Sequence, residues 1–124
     1  MRFLLIGNPP LSQPAADAVT RHGHQISTPE SLNLTHTTDH QEILKAAERA
    51  QLEIITADPA LAESPYALDY YFPRSIVWLQ LEGGDVERDD AIDRLFERYK
   101  SPKPKRLYTV TETRVKIRQL PGAV

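Results

Sequence analysis

Short apolar runs alternate along this chain with stretches whose apolar residues recur every three or four positions. "RFLLIG" (2–7) is a continuous apolar run of the kind found in buried parallel strands. Asn8-Pro9-Pro10 ends it. Ser12 then predicts a helix cap with Pro14 in the first turn, running to about His22 and stopped by Gly23. "HQIST" (24–28) reads as a second short strand, closed by Pro29. Thr38 and Gln41 form a T-x-x-Q capping box before a helix that aligns Ile43, Leu44, Ala47 and Ala50 on one face. "LEIIT" (52–56) is the next strand, and Asp58-Pro59 is an N-cap and N1 pair opening a short helix. Ser64-Pro65 repeats that signal before "YALDYYF".

"SIVWLQL" (75–81) predicts a fourth strand, and Gly83-Gly84-Asp85 leads into a helix lined by Ile92, Leu95, Phe96 and Tyr99. After the stiff basic connector "SPKPK" (101–105), "RLYTV" and "RVKIR" flank Thr111-Glu112-Thr113 as the arms of a hairpin over 106–118. In its second arm Val115 and Ile117 alternate with Arg114, Lys116 and Arg118, which predicts one buried face and one basic face. Alternating strands and helices predict a single three-layer α/β domain over 1–124, with a mostly parallel sheet and an antiparallel edge. Ligands of such sheets bind beyond the carboxyl ends of the strands. Those ends are Gly7-Asn8, Asp58 and the Glu82–Asp85 loop.

Composition narrows the class. The chain has 124 residues, 40% apolar and 26% charged, as in an ordinary globular domain. It has no cysteine, which excludes disulfides and zinc–thiolate sites and fits a cytoplasmic location. The apolar start of "MRFLLIG" is too short for a secretory segment, and no run approaches the roughly 20 apolar residues of a membrane helix. Net charge is −2 but lopsided: residues 1–97 carry 7 Lys/Arg against 16 Asp/Glu, and residues 98–124 carry 8 against 1. Lys103, Lys105, Arg114, Lys116 and Arg118 are therefore candidates for an RNA-binding edge. The same charges also protect an edge strand against unwanted pairing.

The opening "MRFLLIGNPP", the "GH" before the second strand, "DHQEILKAAERAQLEIITAD" and the ending "RVKIRQLPG" occur in an order that resembles the small PIN-like family, relatives of the VapC-type toxin ribonucleases. The resemblance spans nearly the whole chain. It implies a PIN-like fold and phosphodiester cleavage by Mg²⁺ or Mn²⁺ held on clustered carboxylates at the strand ends, since hard cations take oxygen ligands and orient water. Family members run from the first strand into Asp-Glu-Asn and end the third in Thr-x-Asp-x-Asp-Phe. Here the first Asp falls on Ile6 and the Glu on Gly7, and Asn8 alone matches. At the helix start the acidic position falls on His40, with Asp39 beside it and Glu42 retained. Asp58 matches at the third strand, but the second Asp falls on Ala60 and the Phe on Leu61. The resemblance thus implies Asp58 and Glu42 as catalytic residues and Asp58 with Asp39 as metal ligands, in an eroded acidic cluster.

Each candidate also has a plain structural role. Asp58 before Pro59 is a good N-cap, and Asp39 and Glu42 suit the positive end of a helix. His22, His24, His36 and His40 lack the spacing of a metal site. The "GNPP" and "EGGD" loops lack the glycine spacing of phosphate-binding motifs. Tyr66, Tyr70, Tyr71 and Phe72, with Trp78 nearby, could stack bases, but aromatics serve packing as readily. The expectation is a degenerate PIN-like domain with no cofactor, binding a second copy, an antitoxin-like protein partner or RNA. An active Mg²⁺- or Mn²⁺-dependent ribonuclease and a small-ligand or phosphate-binding α/β module are the alternatives.

Overall fold

The computed structural model describes residues 1–8, 10–34 and 39–122. Pro9, His36 and Thr38, named above, lie outside the described residues. The elements in chain order are β1 (Arg2–Leu5), α1 (Gln13–Arg21), β2 (Gln25–Ser27), a 3₁₀ turn (Pro29–Leu32), α2 (His40–Ala50), β3 (Glu53–Thr56), α3 (Pro59–Ala67), β4 (Ile76–Leu79), α4 (Asp85–Arg98), β5 (Arg106–Val110) and β6 (Val115–Gln119). The strands form one sheet in the order β2-β1-β3-β4-β5-β6. All neighbours run parallel except β5 and β6, which are antiparallel.

Strand alternation divides the core into two layers. Leu4, Ile54, Ile76 and Leu107 face Ile43, Leu44 and Ala47 of α2 and Leu61 and Ala62 of α3. Phe3, Ile55, Val77 and Tyr108 face Ala15, Ala18 and Val19 of α1 and Ala91, Ile92, Leu95 and Phe96 of α4. The three-layer α/β arrangement expected from the sequence follows. Among the described residues no helix is long and apolar enough to cross a membrane.

Several local expectations change. The N-cap of α2 is Asp39, whose carboxylate accepts from the Gln41 amide at 2.9 Å. Ser12 occupies the N-cap position of α1, yet its hydroxyl donates to Asp85 rather than accepting from the helix. Ser64-Pro65 does not start a new helix; both residues lie inside α3. Proline removes the amide that would bond the Leu61 carbonyl four residues back. The Ser64 hydroxyl donates to that carbonyl at 2.6 Å instead, so the buried group stays satisfied and the helix continues.

The aromatic run is not one patch. Phe72 is fully buried, Tyr66 and Tyr70 pack against the α2/α3 core, and Tyr71 is exposed. The buried face expected on β6 forms only in part: Val115 packs against the α1/α4 core, but Ile117 is 44% exposed.

Candidate functional site

Parallel strands place their carboxyl ends on one edge of the sheet, and the order of this one reverses between β1 and β3. β1 leads to β2 on one side, whereas β3 leads to β4 on the other. A cleft of about 440 Å³ lies at that reversal. Its lining includes Ile6, Gly7 and Asn8 after β1, Asp58 and Ala60 after β3, Glu30 of the 3₁₀ turn, and His40 and Ile43 of α2.

Asp58 is half-buried at the cleft and bonded to backbone through both oxygens. Oδ1 accepts from the amides of Ala60 at 3.0 Å and Leu61 at 3.4 Å, and Oδ2 accepts from the Asn8 amide at 3.3 Å. Its own amide donates to Thr56 Oγ1 at 3.0 Å. One side chain therefore caps α3 and ties the ends of β1 and β3 together.

Gly7 sits against this turn with φ +134°. A Cβ there would collide with Thr56 Oγ1 and come within 2.9 Å of the Asp58 Cβ. The position excludes any side chain on two counts, backbone conformation and space.

The other acidic candidates stand apart from this cleft. Asp39 is exposed and caps α2. Glu42 is exposed and lines a separate groove with Lys45, Arg49 and Leu34. Among the described residues no three His, Asp or Glu side chains form a group able to hold a metal ion.

The basic candidates form a broken ribbon rather than a patch. Lys103 and Lys105 precede β5 at one end of the β5/β6 pair, and Arg114 lies at the other, roughly 17 Å away for a strand of this length. Lys105 Nζ lies 5.6 Å over the ring of Tyr71. Lys116 and Arg118 pair in register with Thr109 and Leu107, and so project on the α2/α3 side. Arg118 is held by two bonds of 2.9 Å to Glu63 and by stacking on Tyr66. Burial disfavours its charge, but the bonds to Glu63 and Tyr66 outweigh that and raise its affinity for the proton.

A second cleft, of about 550 Å³, opens on the same edge of the sheet on the other side of the Ala57–Pro59 turn. Trp78, Gln80 and Glu82 from the end of β4 and Thr111 and Glu112 from the β5–β6 turn line it. Sequence reading placed Trp78 near the tyrosines and treated Glu82 only as a loop start. The signal it lacked is spatial, since Glu112 Oε2 accepts the Glu82 amide at 2.7 Å across 30 residues of chain.

At the opposite edge, His22 Nε2 lies 2.7 Å from Asp93 and Arg21 bonds Asp89 and Asp93, which joins α1 to α4. Burial pushes the Asp93 carboxyl up, but the bonds from His22 and Arg21 outweigh it and hold the group below its ordinary value. No protein-family model, curated protein or solved structure matches this chain.

Proposed function

We propose that this is a PIN-like domain in which the strand-end hydrolytic centre has been lost and the scaffold acts by binding. The observation that carries the reading is the closure of Gly7. The PIN-like pattern has a glutamate at this position, yet here a side chain would strike Thr56 and Asp58. Ile6 and Ala60 stand at two of the pattern's three aspartate positions and bring no carboxylate. Asp58 keeps its carboxylate but has both oxygens on backbone amides. Hard divalent cations take about six oxygen ligands, so this donor set does not fit a Mg²⁺ or Mn²⁺ pair. A second copy, a protein partner or RNA along Lys103, Lys105, Arg114 and Lys116 is the binding partner in this reading.

An RNA cleavage assay with Mg²⁺ and Mn²⁺ tests it. Absence of cleavage, and no calorimetric Mn²⁺ binding down to millimolar affinity, is the expected result. Robust cleavage abolished by Asp58→Ala, with Mn²⁺ bound near 1:1 or 2:1, overturns it. RNA binding along the edge requires affinity that falls steeply with salt and weakens when Arg114 and Lys116 are neutralised.

A second reading, a small-ligand or phosphate-binding α/β module, is favoured by one feature. The parallel strands follow the order 2-1-3-4-5, and the Gly7-Asn8 loop lines the cleft at its reversal. A saturable phosphate-dependent change in the backbone amide shifts of Ile6, Gly7 and Asn8 is its test, and no change counts against it.

A further inference from the structure

We propose that the second cleft, between the end of β4 and the β5–β6 turn, binds an alkylammonium or guanidinium group. The proposal stands apart from the reading of Asp58, since neither Asp58 nor Gly7 lines this cleft.

Three features of the cleft converge. It is concave and about 550 Å³, a volume suited to a small ligand or a single long side chain. Trp78 forms part of its wall and is only partly buried. It sits in register between Thr56 of β3 and Thr109 of β5, so it projects on the α2/α3 side of the sheet. An indole face is the strongest aromatic partner for a cation. Glu82 and Glu112 also line the cleft, and among the described residues neither carboxylate has an ion-pair partner.

Arg94 and Arg118 are committed elsewhere, and Lys116, which projects on the same α2/α3 side as Trp78, does not line the cleft. Arg94 binds the Thr111 carbonyl at 2.9 Å and pairs with Asp90. Arg118 pairs with Glu63. Two carboxylates beside an aromatic wall attract a cation and repel phosphate, which sets the ligand class against nucleotides. Glu112 is also pre-positioned: its bond to the Glu82 amide fixes one oxygen and leaves the other for a ligand donor. Gln80 and Thr111 add neutral polar groups to the wall.

Trp78 is the chain's one tryptophan, so its fluorescence reports on this cleft directly. Titration of the full chain with spermidine, and with a short arginine-containing peptide, distinguishes a free polyamine from a protein-borne cation. The expected result is a saturable change in Trp78 emission with at least one of them, weakened by added salt. In the Glu82→Gln/Glu112→Gln variant, with unchanged circular dichroism, affinity falls by at least about tenfold, as loss of charge-assisted bonds requires. Calorimetry on Trp78→Leu shows a comparable loss. No saturable response to either cation, an equal response to adenosine monophosphate, or undiminished binding by the double Gln variant overturns the proposal.

Discussion

The guanidinium of Arg118 lies 4.2 Å above the ring of Tyr66 while both of its bonds to Glu63 run to the same helix. The Tyr66 hydroxyl donates in turn to the Gln119 carbonyl at 2.7 Å. A residue that counts in the sequence as a free positive charge therefore acts as a clasp between β6 and α3. Arg118→Ala is expected to lower unfolding free energy by about 1 kcal/mol, the scale of one exposed cation–π contact plus a partly exposed ion pair. Lys116→Ala, two residues away on the same face, stays within about 0.5 kcal/mol. Urea denaturation of both variants checks the contrast.

Asp58 invites a test that separates its capping from any chemistry. Asp58→Ala removes the acceptor for three amides and is expected to cost about 1 kcal/mol or somewhat more, the range of N-cap deletions. Asp58→Ser keeps an oxygen in cap position and recovers most of that stability, although a hydroxyl is a poor ligand for a hard cation. Midpoints compared at constant m value give the answer.

Pro65 and Ser64 form a compensating pair. Ser64→Ala leaves the buried Leu61 carbonyl without a donor and is expected to cost about 1–3 kcal/mol. In Ser64→Ala/Pro65→Ala the restored amide of residue 65 supplies the helical bond, and most of that loss returns. A double-mutant cycle measures the coupling.

Gly7→Ala combines a backbone conformation that L residues avoid with a collision at Thr56 and Asp58. A loss of at least about 2 kcal/mol is expected. Gly23, which also has positive φ but has open space around it, is expected to lose less on the same change. Thermal unfolding of the two variants side by side separates steric closure from backbone preference.

His24 makes stability depend on pH. The residue is 8% exposed, its ring lies tilted with its centroid 4.5 Å from that of Phe96, and neither nitrogen has a side-chain partner. Burial lowers its pKa below 6.5, the positive N-terminus adds to this, and the Lys100 backbone counters it only in part. The unfolded chain therefore takes up the proton first. The stability carried by neutral His24 is complete above pH 6.5 and is lost as pH falls through the lower folded value. His24→Phe flattens this part of the profile, which denaturation at a series of pH values measures.

Much of the fold was legible because each strand is a short apolar run and each helix repeats its apolar residues every three or four positions. Asp58 as a cap was legible for the same local reason: an acid before proline at a strand end has few other uses. The misreadings arose where a local signal needed a distant partner. Ser64-Pro65 looks like a helix start, and only the bond from Ser64 to Leu61 shows it as helix interior. Ile117 alternates correctly, but alternation cannot tell whether a layer lies above the strand.

The sequence by itself determined most of the elements, the α/β class and the absence of thiol chemistry, since these follow from residue type and from periods of two residues or of about one helical turn. Tertiary structure decided what the candidate residues can do. It bonded Asp58 to three amides, closed Gly7 against Thr56, clasped Arg118 to Glu63 and Tyr66, and brought Trp78, Glu82 and Glu112 to one cleft. A carboxylate's role depends on which donors reach it, and that distance is set by chain segments tens of residues apart.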